Sequence, residues 1–347
     1  MIGAAVAALA GCGGSENGAL SADGAPSDAH VADAAVPPPD ADTHDYLSQT
    51  GLYADVATGA IAPDVLAFAP RYTLWSDGAS KRRFVRLPPG ATIDTSDMEH
   101  WLLPVGTKLW KEFRAPDGTL LETRLVERVA DTGHDATDYF MGAFLWRADG
   151  SDAIYVEDGA TDVNGTAHDV PRAGDCRTCH QGEAGHALGF SALQLYGDGP
   201  DGVRLADLVA DGRLSHPPPP GADYTVPGDP VTQAALGYLH ANCGHCHNPR
   251  GVARPDVDMT LRLDLQAAAP EDTTIYRNLV GVPLFRFSSP GVDTRVVPGD
   301  PAHSAVVVRM STRAPGLGQQ MPPLATEVVD ASGVAAVSAW IASLSPP

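Results

Sequence analysis

Apolar and polar residues alternate with a period of two in several stretches between residues 46 and 166, the mark of strands with one buried face. These are RFVRL (83–87), TKLWKEFR (107–114), TLLETRLVERV (119–129), YFMGAFLW (139–146) and AIYV (153–156), with turn residues such as APDG (115–118) between them. The pattern predicts a β-rich antiparallel domain over residues 46–170, a sandwich or barrel-like sheet. Trp75, Trp101, Trp110 and Trp146 read as its core. The basic run SKRRFVR (80–86) reads as a solvated turn and strand face, or as a docking patch.

Beyond Asp175 the pattern changes to short helices and loops rich in Pro and Gly. Asp229 caps a predicted helix that has Pro230 at its first position and runs toward Cys243. Asp330 caps a second, with Val334, Val337, Ile341 and Leu344 on one stripe and Pro346 at its end. The fold class is α+β in several domains: the β-rich part, a segment 171–228 and a helical part 229–347.

Residues 13–44 hold almost no large apolar side chain, so they cannot bury enough surface to offset chain entropy and read as a tether. The apolar run before them, residues 2–10, is too short to cross a bilayer. It ends in Leu9-Ala10-Gly11-Cys12, which resembles a bacterial lipobox. That resemblance implies a signal peptide over 1–11, a lipid on Cys12 and a tether over 12–45. Gly13 and Gly14 lack an Asp retention signal, which fits a periplasmic protein lipid-anchored to the outer membrane.

The 347 residues carry a formal charge of −20, which excludes nucleic acid or an anionic membrane surface as the main partner. A basic redox protein suits this charge, and the membrane is reached only through the N-terminal lipid. Of five cysteines, four fall in two identical arrangements: Cys176, Cys179 and His180, then Cys243, Cys246 and His247.

Two cysteines three positions apart on one turn can add across the vinyl groups of a haem while the next residue, histidine, turns its imidazole to the iron. A zinc module places its second CxxC about 15–20 residues from the first, whereas 63 residues separate Cys179 from Cys243. A redox dithiol needs one CxxC in a βαβ context, and nothing of that kind precedes either motif. The chain is therefore expected to bind two haem c groups, with His180 and His247 as proximal iron ligands. For the first haem the sixth ligand stays open among Met98, Met141, His186, His216, His240 and Met310.

From Asp229 onward the chain resembles a class I cytochrome c domain: a CxxCH after an N-terminal helix, Met321 before Pro322-Pro323, and a closing amphipathic helix. The resemblance implies an all-α haem domain with Met321 as sixth ligand, and His/Met ligation raises the reduction potential. Over residues 47–347 the chain resembles exported bacterial dihaem c-type cytochromes in which a β-rich domain precedes two CxxCH motifs. TLWSDGASKRRFVRLPPG (73–90), LPVGTKLWKEF (103–113), ETRL (122–125), LGFSALQL (188–195) and YLHANCGHCHNPRG (238–251) carry it. The resemblance bears on architecture more than on activity. Electron transfer needs only rigid ligation and exposed haem edges, and no constellation of catalytic bases is evident, so membrane-tethered periplasmic electron transfer between redox partners is the expected function. The alternatives are a peroxidase-like or other small-molecule oxidoreductase with an open iron at the first haem, and a binding or sensory module.

Overall fold

The alternating stretches fold as strands. A ribbon of β1 (Tyr53–Asp55) and β2 (Ala60–Ile61) precedes a six-stranded antiparallel sheet. Its strands, β3 (Leu66–Phe68), β4 (Ser80–Arg86), β5 (Lys108–Arg114), β6 (Leu120–Arg128), β7 (Tyr139–Trp146) and β8 (Ala153–Tyr155), are neighbours in space in the order of the chain. This computed structural model describes residues 44–199, 202–314 and 318–345, with the backbone alone at 135 and 136. Cys12, with the signal and most of the tether expected around it, lies outside the described residues.

The sheet corrects the expected sandwich or barrel. β3 and β8 do not pair, so the meander stays open, and no second sheet of comparable size faces it among the described residues. One face buries Phe84, Trp110, Leu125, Phe144 and Trp146 against Leu47, Leu52 and Tyr53. Burying each large apolar side chain stabilises the fold by roughly 1.5–3 kcal/mol. The opposite face packs Phe68 and Val85 against Trp101, Leu103, Phe190 and Leu195, so the segment around the first motif shares a core with the sheet.

The helices are mostly single turns: α1 (Asp135–Asp138), α2 (Cys176–His180), α3 (Ala192–Leu195), α4 (Leu205–Ala210), α6 (Thr274–Leu279) and α7 (Ala305–Met310). Two are longer, α5 (Pro230–Cys243) and α8 (Ala331–Ser343). Asp229 accepts from the Thr232 amide at 2.8 Å and Asp330 from the Gly333 amide at 3.0 Å, which satisfies otherwise orphaned amides at each helix start. Leu236 and Leu239 of α5 pack with Val337, Trp340 and Ile341 of α8 in one core. None of the described helices is long and apolar enough to cross a membrane.

The two long helices approach through a glycine. A Cβ on Gly333 would stand 2.2 Å from ring carbons of Tyr238. Gly333→Ala is therefore expected to cost about 1–3 kcal/mol of overpacking despite alanine's better helix propensity, read as a lower urea midpoint.

Candidate functional site

The first motif is the single turn α2, which brings Cys176 and Cys179 to one side. Cys176 packs against Val126, Tyr139 and Met141 of the sheet. His180 donates from Nδ1 to the His186 carbonyl at 2.6 Å, and His186 donates from Nδ1 to the His180 carbonyl at 3.0 Å. A carbonyl only accepts, so the proton of His180 sits on Nδ1 and its lone pair on Nε2. Burial, helped by nearby Lys111, pushes the His180 pKa down to about 3 and keeps the ring neutral.

His186 is fully buried, has a left-handed φ of 53°, and meets the Tyr139 ring edge-on at 4.3 Å. The loop after His180 thus turns back on itself. His186 supplies the carbonyl behind the His180 imidazole, which makes it a positioning residue for that ring.

The second motif continues α5 by one turn: the amides of Cys246 and His247 donate to the Cys243 carbonyl at 3.1 and 2.9 Å. Asn248 closes this turn by donating to the Gly244 and His245 carbonyls at 2.7 and 3.1 Å. Burial, then the charge of Arg309, pushes His247 down to about 4, so this imidazole is neutral as well. Its Nδ1 is buried and has no hydrogen-bond partner among the described residues. Burial pushes the Cys243 thiol up to about 12.

The two motifs abut. A Cβ on Gly182 would lie 2.0 Å from the His245 carbonyl, so only glycine permits the approach. Cys246 donates to the Thr178 carbonyl at 3.7 Å. The neighbouring Cys246 and His245 side chains hold the Cys179 thiol low, and Cys179, with burial, pushes Cys246 up. Among the described residues, no three His, Cys, Asp or Glu side chains converge as a metal site, so the four thiols are not gathered into one centre.

The loop bearing Met321 is tied down on both sides. The Met321 amide donates to the Arg309 carbonyl at 3.0 Å, and the Arg309 guanidinium donates to the Gly318 and Gln319 carbonyls at 2.8 and 3.2 Å. Gln320, 4% exposed, donates to the Pro322 and Thr326 carbonyls and accepts from the Ala314 amide.

The sequence pattern did not announce a clasp formed by residues 73–78. Asp77 accepts from the Thr326 hydroxyl and the Glu327 and Val328 amides, each at 3.0 Å. Trp75 donates its indole N–H to the Val328 carbonyl at 3.0 Å. At its other end the clasp grips the second motif, because the Trp75 amide donates to Asn242 Oδ1 at 2.7 Å and Asn242 Nδ2 to the Thr73 carbonyl at 3.0 Å. The Asp-Gly pair at 77–78, both with positive φ, was the signal available. Asp77→Ala is expected to cost about 1–3 kcal/mol, and hydrogen exchange should show loss of protection confined to residues 326–328.

The sixth-ligand candidates separate. Met141 lies beside Cys176, and His186 stands behind His180. His240 accepts at Nδ1 from the Leu263 amide at 3.1 Å and lines a cavity between the sheet and the motifs. Met98 packs on the sheet core, Met310 belongs to the core of α5 and α8, and His216 bonds through its backbone to Thr95. No family model, curated protein or solved structure matches the chain.

Proposed function

We propose that the chain is a dihaem c-type cytochrome that passes electrons between redox partners in the periplasm, tethered to the outer membrane through a lipid on Cys12. Cys176 and Cys179 hold one haem c with His180 as iron ligand. Cys243 and Cys246 hold the other, with His247 and Met321 as its ligands in a class I cytochrome c domain over residues 229–347. Haem c supplies reversible one-electron chemistry at its iron.

The observation that carries this reading is the contact between the motifs, Cys246 against Thr178 and Gly182 against His245. Two redox groups attached there would be neighbours, as stepwise electron transfer requires. The donor chemistry supports it. Each motif presents two thiols and a neutral imidazole, buried at His247 and half-buried at His180, and His180 has its ring orientation set by the carbonyl of His186. Asp77, Arg309 and Gln320 hold the Met321 loop.

Absorption and EPR spectra of the holoprotein, with and without carbon monoxide, test the proposal. Two low-spin haems are expected, with a methionine-to-iron band that disappears in Met321→Ala as the potential of that haem falls. Absence of covalent haem by pyridine haemochrome would sink the reading. A high-spin haem that binds carbon monoxide and is unaffected by Met321→Ala would put an open iron at His180 and move the function to catalysis or sensing.

A further inference from the structure

The sheet face toward the first motif carries a row of cations. The β4–β6 register sets Arg83 opposite Lys111 and Lys111 opposite Arg124. Strand spacing separates successive members by about 4.8 Å. Arg124 is neutralised, since its guanidinium bonds both oxygens of buried Glu122. The other two are not. Arg83 is 6% exposed, and neither it nor Lys111 has a hydrogen-bond or ion-pair partner among the described residues. Burial pushes Arg83 down to about 10 and Lys111, crowded also by Arg83 and Arg124, down to about 7.

Burying Arg83 without a counter-charge costs several kcal/mol, and half-buried Lys111 beside it, which feels Cys179 and Glu122 as its nearest negative charges, repels it as well. Both line the cavity between the sheet and the two motifs. The one carboxylate lining it, Glu183, is taken by Arg262. The site is therefore built for an anion that arrives from outside the polypeptide.

Position identifies that anion. Arg124, at one end of the row, feels the charges of both Cys176 and Cys179, and Lys111, in the middle, feels Cys179 alone and lies near His180. Arg83 stands two strand spacings further on, about 10 Å. The propionate edge of a porphyrin lies across the ring from the vinyl edge that cysteines capture, so its carboxylates need cations about one porphyrin width from the thiols.

We propose that Arg83 and Lys111 are the counter-ions of the propionates of the haem attached at Cys176 and Cys179, so that the β sheet forms half of the first haem site. The inference rests on the dihaem reading above. It explains how a segment too short for a cytochrome fold of its own can hold a haem, because its missing wall is the sheet.

The test uses holoprotein carrying ¹³C in the haem propionate carboxyls and compares wild type with Arg83→Gln, Lys111→Met and, on the opposite face of β4, Arg82→Gln. Haem per chain is counted first; a chain with none overturns both readings. In redox-difference infrared spectra, a label-sensitive carboxylate band should move in Arg83→Gln and Lys111→Met and stay put in Arg82→Gln. The first haem's potential should fall in the same two variants, because losing a cation favours the ferric state. Two haems with an unmoved band overturn this inference alone.

If the neutral variants shed the first haem, Arg83→Lys and Lys111→Arg should restore loading with the band displaced. Restoration without displacement counts against the proposal. Nitrite or sulfite added to wild type should leave the labelled band unchanged. Uptake of either anion that is lost in Lys111→Met, with the band still fixed, would make this a free-anion site and overturn the assignment.

Discussion

Holoprotein carrying Cys243→Ala and Cys246→Ala together is expected to retain one covalent haem, at Cys176 and Cys179, and to lose the methionine-to-iron band entirely. Each motif has its own thiol pair and its own neutral imidazole, and the orientation of His180 depends on His186, six residues away. The first site should therefore load without the second. Stability should fall as well, because Cys243 packs on the core of α5 and α8 that holds Trp340 and Ile341. Intact mass and the pyridine haemochrome count the haems. The reciprocal pair, Cys176→Ala with Cys179→Ala, should keep the Met321 band. Loss of both haems from either double variant would show that loading is coupled and contradict two self-sufficient motifs.

Glu122→Leu is expected to destabilise the fold by about 3–5 kcal/mol, the cost of leaving a buried charge without its partner. Glu122 is fully buried; Arg124 bonds it at 2.9 and 3.0 Å and His168 Nε2 at 2.7 Å. Removing both members in Glu122→Leu with Arg124→Leu should recover much of the loss, since no lone charge then remains. Urea denaturation reads both, and an undiminished midpoint in the single variant would refute the argument.

The same pair sets an acid limit. Burial by itself would raise the Glu122 carboxyl, but Arg124 and the His168 hydrogen bond hold it below its ordinary value. Its contribution is therefore complete above the usual carboxylate range and is lost as pH falls through the lower folded value. Wild type should lose stability more steeply than Glu122→Leu below about pH 4, and urea midpoints measured across that range read the difference.

The strands were legible where the two-residue alternation ran long enough, as in Lys108–Arg114 and Leu120–Arg128. Leu66–Phe68 was not, since three residues show no period that differs from chance. The caps Asp229 and Asp330 were legible because a cap bonds an amide three residues away. Arg83 was misread within a basic run, although strand alternation carries it inward while Arg82 stays outside. Asp77 was missed because its partners at 326–328 lie about 250 residues along the chain.

The sequence settled what depends on neighbours in the chain: the thiol and imidazole sets of the two motifs, the strand and helix periods, and the caps. Those interactions act within a turn or a strand pair, so spacing alone encodes them. Tertiary structure decided that the sheet stays open, that the motifs meet at Gly182 and His245, that residues 73–78 clasp the Met321 loop, and that Arg83 and Lys111 face the interior. Such contacts follow from which buried faces find each other, and burial is non-directional, so no local pattern of residues announces its distant partner.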